Sequence, residues 1–152
     1  MAGGDAEFVN RVYRERGEDV FSAWNLVDAL SAHSPEERAF LALWLCTGEI
    51  VNGGFEQLIG NSTGQVVGLA ADGAARLELS RHEAVLREVA ALFPAQEVPV
   101  DDELRHLAWE RVRETHADTL EARLTELEDT WFSLEDELVR RLAVVARDVA
   151  TS

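Results

Sequence analysis

Apolar residues recur along this chain at steps of three and four, the spacing that returns side chains to one face of an α-helix. Phe8, Val9, Val12 and Tyr13 set the pattern after a flexible lead over residues 1–6. Past Gly17 it resumes with Val20, Phe21, Trp24, Val27 and Leu30. Ser34-Pro35-Glu36-Glu37 joins a capping serine, a proline at the first helical position and a glutamate three residues on, so a helix should run from there to about Cys46. Gly48, Gly53 and Gly54 interrupt the pattern beyond it, leaving a short helix over residues 55–59 and another after Gly64. Ser80 with Glu83 forms a second capping box, opening a helix that Pro94 closes, and residues 94–100 read as a connector. No segment alternates with a period of two, so no strand is expected.

From residue 100 to the end there is neither Gly nor Pro. Leu120, Leu124, Leu127, Trp131, Leu134 and Leu138 alternate steps of four and three, the seam of a coiled coil. Glu121, Glu128 and Glu135 lie on one flank, with Arg123, Thr130 and Glu137 on the other, so self-pairing would gain few opposite charges. After Leu138 the seam slips to Leu142. The expectation is one helix, or two with a break near Ser133, packed on its own domain. The predicted fold is a single compact all-α domain over residues 1–152, with a long acidic helical region at its C-terminal side.

Charge changes this picture from architecture to partner. The 152 residues carry 29 acids against 14 bases, all Arg, for a net charge of −15. That excess argues against direct binding to nucleic acid or an anionic membrane, and favours basic partners. Residues 97–137 hold fourteen acids and only four Arg (Arg105, Arg111, Arg113, Arg123), so ten of the fifteen excess charges lie there. The candidate partner-binding surface is Glu97, Asp101, Asp102, Glu103, Glu110, Glu114, Asp118, Glu121, Glu128 and Glu135. Glu110, Glu114, Asp118 and Glu121 read as one helical face, whose carboxylates step by roughly 6 Å per four residues. A plain solvated acidic face is the alternative.

Catalytic chemistry finds little support. His33, His82, His106 and His116 are scattered, and the one cysteine, Cys46, sits in an apolar run as a small buried hydrophobe. His106 and Glu110 share a helix face, but two ligands are too few for a metal site. No catalytic residue, metal or cofactor is assigned. The start has no basic and apolar leader, and the longest apolar run, residues 39–46, is too short to cross a bilayer, so a cytoplasmic location is expected.

One motif stands out: Glu49, then Asn52-Gly53-Gly54-Phe55-Glu56-Gln57, then Asn61-Ser62-Thr63-Gly64. Its glycines permit unusual backbone angles, and its amides can bind exposed backbone at helix ends. It reads either as a helix connection held by side-chain amides or as a ligand or partner site. These residues resemble the signature of the DMP-type DNA-mimic family: an acid before Asn-Gly-Gly-Phe-x-Gln, an apolar pair (here Leu58 and Ile59), then Asn-Ser-x-Gly. The run Leu124-Thr125-Glu126-Leu127-Glu128-Asp129-Thr130-Trp131-Phe132 is similar to that family's later acidic, leucine-rich pattern.

The resemblance implies an all-α, non-enzymatic protein, with dimers whose carboxylates imitate duplex phosphates against a helix-turn-helix regulator. The leading expectation is therefore an acidic decoy for a basic DNA-binding protein, with homodimerisation left open. Two other readings stay alongside it. One is a small-molecule or enzymatic site formed by Asn52, Gln57 and Asn61. The other is an immunity-type protein that neutralises a basic toxin.

Overall fold

The computed structural model describes residues 2–151. They form nine α-helices and no strand: α1 (Ala2–Arg16), α2 (Glu18–Phe21), α3 (Leu26–Ser31), α4 (Pro35–Gly60), α5 (Val67–Arg76), α6 (Ser80–Ala90), α7 (Asp102–Thr115), α8 (Leu120–Ser133) and α9 (Glu135–Ala150). Short 3-10 turns at Ser62–Val66 and Pro94–Gln96 join α4 to α5 and α6 towards α7. The all-α expectation holds.

Helix α4 is the axle. Its first half buries Ala39, Phe40, Leu41, Ala42, Leu43, Cys46, Thr47 and Ile50, an apolar surface too wide for one neighbour to cover. Helices α1, α3, α5, α7, α8 and α9 all pack against it. The buried apolar residues make one cluster running from Val9 to Val149. Cys46 lies at its centre, fully buried, where desolvation pushes the thiol pKa up to about 12, so the inert reading of this cysteine stands. No helix is long and apolar enough to cross a membrane among the described residues.

Several expected boundaries shift. The segment read as a flexible lead is already helical from Ala2, and Asp5 lies 3.7 Å from Arg147 of α9. The second apolar stretch is not one helix. It breaks after Phe21, leaving Trp24 97% exposed in the gap, and α3 restarts where the Asn25 side chain accepts from the Asp28 amide at 3.0 Å. Ser34 caps α4 as predicted, accepting from the Glu37 amide at 3.3 Å, but the helix runs past Cys46 and Gly48 to Gly60. Ser80 caps nothing. The end of α5 closes with Leu79 N–H on the Ala74 carbonyl (2.8 Å) and Glu78 N–H on the Ala75 carbonyl (3.2 Å), Glu78 taking a left-handed φ of 61°. Leu79 thus ends one helix and caps the next, leaving no cap position for Ser80.

The leucine seam is the clearest success. Leu120, Leu124, Leu127, Trp131, Leu134 and Leu138 are all buried in the protein's own core, and the helix breaks at Leu134, between α8 and α9. His82 of α6 supports that joint. Its ring is fully buried, edge-on to Trp131 at 5.2 Å, and its Nε2–H donates to the Leu134 carbonyl at 3.0 Å. Nδ1 has no hydrogen-bond partner, and Glu137 Oε2 lies 3.9 Å from it.

Burial holds the His82 pKa below its ordinary value, outweighing the Leu134 bond and Glu137. In the unfolded chain this histidine takes its proton at about pH 6.5, whereas in the fold it does so only at lower pH. Its contribution is therefore complete above about pH 6.5 and declines as pH falls from there towards the depressed folded value. We expect the urea midpoint to drop between pH 7.5 and 5.5, roughly as proton linkage at one site demands. His82→Gln should flatten that limb; an unchanged slope in the variant would refute the assignment.

Candidate partner-binding surface

The Glu49–Gly64 motif lies across the second half of α4, where that helix is broken. Gly53 (φ −154°, ψ 17°) and Gly54 (φ 74°, ψ −171°) leave helical geometry, and the helix starts anew at Phe55. The Gly54 angles belong to a region that essentially only glycine occupies. The freed Phe55 amide donates to Glu128 Oε2 of α8 at 3.0 Å, and a Cβ on Gly54 would sit 2.3 Å from that same oxygen. A carboxylate 73 residues away thus caps the restarted helix, favoured by the positive end of its dipole.

The rest of the motif closes on itself. Glu49 Oε2 accepts from Gln57 Nε2 and from Asn61 Nδ2, each at 2.9 Å. Phe55, Leu58 and Ile59 are fully buried. The side chains of Asn52 and Ser62 are exposed without a hydrogen bond among the described residues. A cavity of about 520 Å³ lies away from the motif, lined by Val27, Gln65, Val67, Leu86, Val98 and Pro99 among others, and a more open one of about 510 Å³ borders it at Glu56 and Glu128. Gln57 and Asn61 thus spend their amides on Glu49, across the break in the helix.

A residue absent from the sequence candidates closes the arrangement. Arg105 of α7 is fully buried and points at the C-terminal end of α4. It donates to the carbonyls of Ile59 (2.8 Å), Asn61 (2.9 Å), Val100 (3.0 Å) and Pro99 (3.2 Å), and to Asp102 Oδ1 (2.6 Å). Gly64 makes room for it: a Cβ there would lie 2.4 Å from Arg105 Nε. The guanidinium also holds the Asp102 carboxyl below its usual range. The available signal was positional. Arg105 lies four and seven residues before Trp109 and Val112, on the apolar face of α7, where a charge needs a built receptor.

The ten candidate acids divide accordingly. Asp101 caps α7 through the Leu104 amide (2.9 Å), Asp102 holds Arg105, and Glu128 holds Phe55. These three are committed to the fold. Glu135 is half-buried in the first turn of α9. Glu97, Glu103, Glu110, Glu114, Asp118 and Glu121 are exposed, with no ion pair among the described residues. Glu110 to Glu121 is not one helical face as expected. Helix α7 ends at Thr115, His116 caps it, and Asp118 sits in the turn before α8. Asp118 and Glu121 then join Glu126 and Asp129 around a shallow groove on α8.

Three of the four counter-charges are withdrawn from this region. Arg105 is buried, Arg113 is tied to Glu56 at 2.8 Å, and Arg123 is tied to Glu88 at 2.9 Å and Glu126 at 3.3 Å. His106 donates to the Gly60 carbonyl at 2.9 Å, so it joins the α4 terminus rather than Glu110. Among the described residues, no three His, Cys, Asp or Glu side chains are placed to hold a metal ion.

No curated protein and no solved structure matches this chain. The model of the DMP19-like protein family, however, matches residues 31–148, from the end of α3 into α9. That span takes in the broken helix, its Glu128 cap, the buried Arg105 and the acidic α7–α8 region together. The chain belongs to the DMP19-like protein family.

Proposed function

We propose that this chain is a non-enzymatic, cytoplasmic binding protein whose acidic surface mimics DNA and occupies the DNA-binding face of a basic protein such as a helix-turn-helix regulator. The observation that carries the reading is the row of unpaired carboxylates from Glu103 through Glu110, Glu114 and Asp118 to Glu121, in a region whose arginines are mostly buried or paired. Along α7 these charges recur at steps of seven and four, so they lie on one side of the helix over roughly 16 Å. Phosphates along one nucleic-acid strand are spaced on the same order, at about 3.4 Å of axis, and the duplex is denser, at about one charge per 1.7 Å. Family membership supports the same reading. Pairing of two copies, which membership suggests, would double the surface and belongs to the proposal.

Affinity capture from native lysate tests it, comparing the parent with Glu110→Gln/Glu114→Gln/Asp118→Asn/Glu121→Gln. The parent should retrieve a DNA-binding protein that duplex DNA displaces, and that weakens steeply between about 0.05 and 0.5 M salt. The neutralised variant should bind roughly tenfold or more weakly, through slower association. Retrieval of no DNA-binding protein, or capture indifferent to salt, would overturn the proposal.

A further inference from the structure

We infer that the outer face of α7 is a docking surface for a basic amphipathic helix, an inference that rests on the binding reading above and specifies its partner. Val100, Leu104 and Leu107 are 49%, 60% and 53% exposed, three of the eight exposed large apolar side chains among the described residues. Scattered exposed apolar residues are ordinary. Leu104 and Leu107 instead lie one turn apart on α7, where they share a face, and Val100 stands just before the Asp101 cap that opens the helix.

The row is not spilled core. The inner face of α7 is already filled by Arg105, Trp109 and Val112, so this helix is apolar on two sides and only one is covered. Glu103, Glu110 and Glu114 run beside the row with no ion pair among the described residues, and Arg111 ends it four residues after Leu107. Charge selects the occupant. A second copy related by a two-fold axis would present the same patch, setting three carboxylates and one arginine against their own duplicates, a net repulsion. A helix with leucine-like side chains on one face and Arg or Lys along its flank covers the row and neutralises the carboxylates together.

The test uses synthetic helical peptides of about 18 residues, or five turns. One carries Leu on one face and Arg elsewhere; the second has Gln for Leu at equal charge; the third has Glu for Arg. Titration calorimetry should show the first binding roughly tenfold tighter than the second, an advantage that persists as salt weakens both. In Leu104→Gln/Leu107→Gln, with helicity checked by circular dichroism, the advantage should fall below about twofold while the second peptide still binds as to the parent. Equal binding of the two basic peptides overturns the docking surface and leaves the decoy reading standing. Failure of both basic peptides at low salt overturns both. Binding of the Glu peptide as tightly as the first removes charge as the selector and overturns the basic partner. A parent dimer that the double variant dissociates, measured by sedimentation, means a second copy covers the row, and overturns the inference.

Discussion

Replacing Arg105 with Met should cost about 3–5 kcal/mol of stability, since each buried acceptor left without its donor costs about 1–3 kcal/mol. The guanidinium serves four backbone carbonyls and one carboxylate, drawn from the end of α4, the connector before α7 and the first turn of α7. Methionine fills much of the volume but donates nothing, so those carbonyls lose their partner in a dry site. Against a typical total of about 5–15 kcal/mol, such a loss threatens folding itself. Thermal melting should fall by roughly 10 °C, at about 2–4 °C per kcal/mol for a chain of this size. Arg105→Lys should recover only part, because one ammonium cannot span the same fork.

A second readout is acid stability. Arg105 holds the Asp102 carboxyl below its ordinary pKa, so the linked stability is complete above about pH 3.9 and is lost as pH falls through the lower folded value. In Arg105→Met that acid limb should vanish along with the overall loss. Melting within about 1 °C of the parent would show that the carbonyls find other donors.

Gly54→Ala is the second large effect. Alanine has to adopt φ 74° with ψ −171°, a strain of roughly 1–3 kcal/mol. Its methyl also enters the space of the Glu128 carboxylate, so the Phe55 amide loses its acceptor, adding about 1–3 kcal/mol. Glu128→Ala should reproduce the second part alone. The double variant should then cost less than the sum of the two single ones, since both disturb one contact. Denaturant midpoints for the four proteins measure this. Strict additivity, or a Gly54→Ala cost under about 0.5 kcal/mol, would show that the backbone relaxes around the methyl.

These two sites also mark how far the sequence could be read. Gly53 and Gly54 announced a break in the helix, because that property is local, while the amides around them left a structural connection and a ligand site both open. What lay across the break was not local: Glu128 is 73 residues away and looked like one acid among many. Arg105 was hidden in the same manner, counted as a surface counter-charge although its spacing with Trp109 and Val112 put it inside. The seam from Leu120 to Leu138 was legible because burial itself writes the period. The ends of α7 and α8 were less so, since neither carries Gly or Pro and both are set by packing at His116 and Leu134. Ser80 misled because a capping pattern cannot show that Leu79 already holds the cap position.

The acids that hold the fold and those that face solvent are different residues, and that separation has a consequence for heredity. Exposed charges without partners change at a cost within about 0.5 kcal/mol, so substitutions at Glu103, Glu110 or Glu121 are nearly silent for folding. Substitution can therefore redraw the outer charge pattern at little cost, whereas changes at Gly54, Glu128 or Arg105 are penalised through folding itself. Lineages built on this frame can diverge in surface charge long before they diverge in shape.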